Sequence, residues 1–184
     1  MGNFKEDIAL CKALVLDVDG VLTDGGITPT RDGDFIRTYN AKDGYAVAYA
    51  IKMGYPVCVI TGGRGANLEY RLKMLGIKEM YIECMDKMAA LNDFMRRYSI
   101  TADQIIYMGD DIPDLECMRA VGVAVAPRDA AMEVVEVARY VSEFDGGRGC
   151  VRDIVEQWLR SHGKWALHSY GVTGREETEK SERA

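Results

Sequence analysis

Ala13-Leu14-Val15-Leu16-Asp17-Val18-Asp19-Gly20 is a four-residue apolar run that ends abruptly in two carboxylates and a glycine. A run apolar on every residue predicts a strand covered on both faces, the kind found in parallel sheets beneath helices. Two further runs share the design. Val57-Cys58-Val59-Ile60 ends at Thr61-Gly62, and Ile105-Ile106-Tyr107-Met108 ends at Gly109-Asp110-Asp111. Three hydroxyl or acidic clusters thus follow three buried strands. The carboxyl ends of parallel strands are where open α/β sheets bind ligands.

Helical and strand patterns alternate around these runs. Strands are expected at residues 56–60, 81–82, 123–125 and 140–141. Helices are expected at residues 43–53, 66–75, 87–98, 113–121, 130–138 and 151–161. Residues 27–30 and 34–39 flank Arg31-Asp32-Gly33, a hairpin signal with Asp-Gly at the turn. The alternation predicts an α/β fold: a Rossmann-like, doubly wound parallel sheet with helices on both faces and a protruding β-hairpin at about residues 26–40. No stretch between the motifs is long enough for a cap domain. Residues 1–170 form the expected domain, and 171–184 a polar tail expected to be disordered.

The chain has 184 residues, 23 Lys and Arg, 29 Asp and Glu, and a net charge of −6. That balance argues against a nucleic-acid or anionic-membrane surface. Lys5, Glu6, Asp7 and Lys12 interrupt the N-terminal stretch, so no signal peptide is expected, and no run approaches a membrane span. The five cysteines lack metal-binding spacing and are expected to be free thiols in a cytoplasmic protein.

Asp17 and Asp19 are two apart, which in an extended strand puts them on the same side. Adjacent carboxylates repel unless a cation or a shared proton relieves them. Adding Asp110 makes a three-carboxylate site (Asp17, Asp19, Asp110) suited to Mg²⁺, a hard ion that takes oxygen ligands and substrate phosphate. With Lys87 and donors near Thr61 and Gly62 neutralising phosphate oxygens, Asp17 could attack phosphorus. Asp19 could protonate the leaving alkoxide and then activate water. Each group also has an ordinary structural role open to it: Thr61 as a helix N-cap, Lys87 as a solvated helix lysine, Asp111 and Asp114 as first-turn acids.

The ordered set Asp17-x-Asp19-Gly20, Thr61-Gly62, Lys87 and Gly109-Asp110-Asp111 resembles the four motifs of the haloacid dehalogenase superfamily. Residues 17–25, Asn40-Ala41-Lys42-Asp43-Gly44-Tyr45, residues 109–114 and Gly146-Gly147-Arg148-Gly149 extend the resemblance to its capless subgroup, across residues 12–165. It implies Asp17 as nucleophile, Asp19 as acid/base, Thr61 and Lys87 as phosphate-binding residues, a Mg²⁺ cofactor, and Asp111 and Asp114 in support. It implies an ulosonate phosphate as substrate, an eight-carbon 8-phosphate of lipopolysaccharide precursor synthesis or a nine-carbon 9-phosphate. It also implies that Asn40, Ala41, Lys42, Asp43, Gly44, Gly62 and Arg71 contact that substrate, in a homotetramer whose neighbouring subunits partly cover each site. This chain departs at Gly63-Arg64, where relatives often carry a charged residue directly after Thr-Gly; Arg64 is a candidate replacement. A phospho-receiver signalling domain is disfavoured because Asp17 and Asp19 share one strand. A dehalogenase is disfavoured because it would give Asp19 no leaving group to protonate; a phosphomutase stays open as an alternative, though such enzymes usually carry a cap to shield the intermediate from water.

Overall fold

The computed structural model describes residues 3–167. The expected tail at 171–184 lies outside these residues. Six parallel strands form the sheet: β1 (Ala13–Leu16), β4 (Val57–Ile60), β5 (Glu79–Tyr81), β6 (Ile105–Met108), β7 (Val123–Ala126) and β8 (Tyr140–Val141), in the order β5-β4-β1-β6-β7-β8. The chain leaves β1 for β4 on one side and later crosses to β6 on the other. β1 is therefore where the winding reverses, and its C-terminal end opens a crevice between outgoing loops.

The uninterrupted apolar runs have a direct cause. Leu14, Leu16, Val57, Val59, Ile106, Met108, Val123 and Val125 belong to one core layer. Ala13, Val15, Cys58, Ile60, Ile105, Tyr107, Ala124 and Ala126 belong to the other. Alternate residues of each strand point to opposite faces, so burying both faces requires apolar side chains throughout. The first layer packs under α2 (Ala41–Lys52), α3 (Ala66–Met74) and α7 (Cys150–Ser161); the second packs under α4 (Lys87–Tyr98) and α5 (Leu115–Ala120).

A short helix α1 (Phe4–Leu10) was not expected from the sequence. Only Ile8 on it is buried, so it shows almost no apolar stripe. It is held by α7, whose Trp158 indole donates to the Cys11 carbonyl at 3.0 Å. The hairpin strands, β2 (Thr28–Pro29) and β3 (Phe35–Ile36), are shorter than expected at two residues each. Two-residue strands have little intrinsic stability, and the hairpin is docked by side chains instead. Asp34 Oδ2 accepts from the Asn67 amide at 3.0 Å, capping α3, which has no side-chain cap from its own Gly65. α6 (Met132–Val137) adds Val134 to the second layer. All five cysteines are free, Cys84 alone being only partly buried.

Candidate active site

The loops leaving β1, β4 and β6 and the start of α4 enclose a cavity of about 450 Å³. Asp17, Asp19, Thr61, Gly62, Gly63, Lys87, Asp110 and Asp111 all line it. Close packing at its base depends on Gly20, whose φ of +85° is open to glycine and whose absent side chain leaves room for Asp110. A Cβ there would lie 1.9 Å from Asp110 Oδ2.

Lys87, the first residue of α4, is buried and reaches two carboxylates, with Nζ 3.0 Å from Asp17 Oδ2 and 2.8 Å from Asp114 Oδ1. Burial disfavours its ammonium, but Asp17 and Asp114 outweigh that and hold its pKa above the usual lysine range. Asp114 is fully buried and fully occupied: Oδ1 also accepts from Tyr107 at 2.8 Å, and Oδ2 from the Asp110 amide at 3.3 Å. It anchors Lys87 and the Asp110 loop, a larger part than a first-turn acid would play. The Tyr107 hydroxyl is kept protonated by burial and by Asp114. An apolar strand carrying one tyrosine is the signal that could have disclosed it, since a buried hydroxyl needs a partner.

Asp17, Asp110 and Asp114 each place a carboxylate oxygen within 4.8 Å of the others. Asp17 Oδ1 and Asp110 Oδ1 are buried with no hydrogen-bonding partner among the described residues. Burial first, then the neighbouring carboxylate of Asp114, pushes the Asp17 pKa up to about 6; burial and then Asp17 push Asp110 up to about 7. Two orphaned carboxylate oxygens that resist ionisation fit a small oxygen-seeking cation. Asp19 does not join this cluster. Its carboxylate turns to Arg37, with Nε 2.7 Å from Oδ1 and Nη2 3.1 Å from Oδ2. The three carboxylates that cluster thus differ from the expected set in having Asp114 in place of Asp19, both of whose oxygens are held by the guanidinium. Arg37 was missed, lying 18 residues away in the hairpin with no local pattern to mark it.

Thr61 caps no helix; its Oγ1 accepts from the Gly63 amide at 3.0 Å, shaping the turn at the cavity wall. Asn40, Ala41, Lys42, Asp43, Gly44, Arg64 and Arg71 lie outside the cavity lining. Asn40 caps α2, accepting from the Lys42 amide at 2.8 Å, and Ala41 begins that helix. Lys42 faces a separate groove beside Arg148, Arg152 and Arg160. Gly44 gives space to Arg71, whose guanidinium stacks over the Tyr39 ring 5.5 Å from its centre. Arg64 lies over Phe35.

Asp43 is fully buried and accepts from the amides of Gly149 at 3.1 Å and Arg152 at 2.6 Å, capping α7 across the fold. Within the single chain both of its oxygens are occupied by these amides. Asp43→Ala is expected to lower unfolding free energy by about 1–2 kcal/mol in urea titration, with KM changed by less than about twofold. A large KM rise with unchanged stability would return Asp43 to the substrate site.

A strand end bearing a buried carboxylate, a buried lysine and two orphaned carboxylate oxygens, set at the reversal point of a parallel sheet, are the arrangement of a doubly wound α/β phosphatase. The family model for haloacid dehalogenase-like hydrolases matches residues 79–151. The chain is 36% identical to the 3-deoxy-D-manno-octulosonate 8-phosphate phosphatase KdsC of Escherichia coli K12, over 83% of this chain and 81% of that protein. The Yersinia pestis phosphatase of the same name superimposes with a TM-score of 0.84 at 34% identity, covering 87% of this chain and 86% of the other. The Moraxella catarrhalis phosphatase, solved with magnesium, phosphate and KDO, superimposes at 0.82 with 29% identity, covering 85% and 90%. The chain belongs to the haloacid dehalogenase-like hydrolases, in the family of 3-deoxy-D-manno-octulosonate 8-phosphate phosphatases. Among the described residues no helix is long and apolar enough to cross a membrane.

Proposed function

We propose that this chain removes phosphate from 3-deoxy-D-manno-octulosonate 8-phosphate, with Mg²⁺ as cofactor and Asp17 as nucleophile. The carrying observation is the pair of orphaned oxygens, Asp17 Oδ1 and Asp110 Oδ1, beside the Lys87 ammonium. Asp17 and Asp110 would hold the Mg²⁺. When bound, it neutralises phosphate oxygens so that an anionic nucleophile can approach them. The eight-carbon substrate is supported by the relatives above, one of which was solved with KDO.

Lys87 holds Asp17 by Oδ2 and presents its charge to the incoming phosphate. Thr61 and the following amide of Gly62 bind the remaining phosphate oxygens at the end of β4, on a turn that the Gly63 amide fixes by its bond to Thr61 Oγ1. An Asp17 oxygen forms a bond to phosphorus as the bond to the sugar oxygen breaks, and Asp19 gives its proton to that oxygen. In the second half, Asp19 takes a proton from water, the water oxygen bonds to phosphorus, and the Asp17–phosphorus bond breaks. Asp111, exposed at the cavity rim, and buried Asp114 support the loop that carries Asp110.

The same reading makes the enzyme a cytoplasmic homotetramer acting in lipopolysaccharide precursor synthesis. The neighbouring subunits would close the site and bring residues such as Lys42, Arg64 or Arg71 to the substrate. Steady-state kinetics should give a higher kcat/KM for the eight-carbon 8-phosphate than for a nine-carbon ulosonate 9-phosphate, by at least about tenfold. A reversed ratio would move the assignment to the nine-carbon class.

A further inference from the structure

Arg37, on the hairpin, pairs with Asp19 of the cavity wall. Its side chain is 3% exposed, against 22% for Asp19, and its fork is matched to the Asp19 carboxylate. Nη1 donates to the Arg64 carbonyl at 3.2 Å, and Phe35 lies beneath the guanidinium. The hairpin is fixed by the Asp34 contact to α3, so Arg37 is delivered from a braced support. Gly63 is part of the arrangement. A Cβ at that position would lie 3.0 Å from Arg37 Nη2 and 3.0 Å from Asp19 Oδ2, so any side chain there would press on the ion pair.

This pairing conflicts with the chemistry asked of Asp19. A bidentate guanidinium occupies both oxygens, whereas work on the ester requires one of them to face the bridging oxygen of the substrate. Opening the pair alone would leave a shielded guanidinium without its anion, which is costly. The substrate proposed above carries a second anion, its carboxylate, and Arg37 stands directly behind Asp19 and Gly63, both of which line the cavity.

We propose that Arg37 is a specificity-determining residue that exchanges Asp19 for the carboxylate of the sugar acid, so that an anionic substrate frees its own acid/base. The inference rests on the sugar-acid reading of the site. A carboxylate-free phosphate ester offers Arg37 no replacement partner and leaves Asp19 clamped. Discrimination then appears in turnover as well as in binding, and the hairpin becomes part of the active site of its own chain.

The test uses the full chain with Mg²⁺, comparing wild type, Arg37→Met and Arg37→Lys on 3-deoxy-D-manno-octulosonate 8-phosphate and on an aldopentose 5-phosphate, which lacks a carboxylate. The ratio of the two kcat/KM values should fall by roughly 10- to 100-fold in Arg37→Met, with Arg37→Lys between, since a charged hydrogen-bonded contact is lost for one substrate only. Inhibition by the dephosphorylated sugar acid should weaken by a similar factor, while inhibition by inorganic phosphate should hold. Equal losses on both substrates, or undiminished inhibition by the sugar acid, would overturn this inference alone. A wild-type enzyme with no preference for the sugar-acid phosphate would overturn the substrate assignment and this inference together.

Discussion

Asp17→Asn should reduce kcat by roughly four orders of magnitude or more, the scale on which loss of a covalent nucleophile is felt. The substitution keeps shape and removes charge. An amide oxygen is a poor nucleophile, and Lys87 loses one of its two carboxylates while retaining Asp114 at 2.8 Å. The fold should not suffer. Asp17 is buried among carboxylates, and burial together with Asp114 already disfavours its charged form. Thermal unfolding of the metal-free variant at pH 8 should therefore begin no lower than that of the wild type. A variant retaining more than about one hundredth of wild-type turnover would remove Asp17 from the nucleophile role. A variant that loses activity by unfolding would show it in the melt.

The second large effect is on stability, and its sign follows from the same carboxylates. In the folded protein Asp17 and Asp110 titrate at about 6 and about 7; in the unfolded chain they titrate near the ordinary carboxylate value of about 3.9. Between these values the folded state holds protons that the unfolded state has released. Stability of the metal-free protein should thus fall as pH rises from about 4 to about 7, by an amount on the order of a few kcal/mol. A cation on the two orphaned oxygens reverses the trend, because it binds the deprotonated forms. Mg²⁺ at a hundredfold excess over its Kd should add about 2.7 kcal/mol at pH 8 and far less at pH 5. Differential scanning calorimetry at the two pH values, with and without Mg²⁺, reads this directly. Equal stabilisation at both would mean that the ion binds elsewhere.

How much of this was legible in the sequence differs by the range of the interaction. The runs at 13–16, 57–60 and 105–108 specify buried parallel strands because each residue must be apolar, and the residues that follow are carried to one end of the sheet by connectivity alone. Asp17, Thr61, Lys87 and Asp110 therefore arrive at the same cavity. Lys87 even opens its helix at the residue expected, with Asp86 as cap. Side-chain partners were less accessible. Asn40 and Asp43 looked like binding residues because they lie in a motif, yet Asp43 spends both oxygens on amides 106 and 109 residues away. No local pattern announces a cap supplied across the fold. The Arg37–Asp19 pair was hidden in the same way, since it depends on how the hairpin folds back. Helix α1 was missed because it buries a single residue. The Gly63 departure, unexplained by sequence, acquires a steric reason only once Arg37 and Asp19 are seen on either side of it.

The central claim is that Asp17 becomes covalently phosphorylated. It is tested most directly by mixing the wild-type enzyme with Mg²⁺ and substrate, stopping the reaction at short times, then digesting the protein and weighing the peptide that contains Asp17. A single-turnover quench in acid should catch the phosphoryl group itself on the Asp17 peptide, absent from Asp17→Asn. Phosphate release with no phosphorylated Asp17 peptide at any quench time, under conditions where the acyl phosphate is stable, would contradict the account.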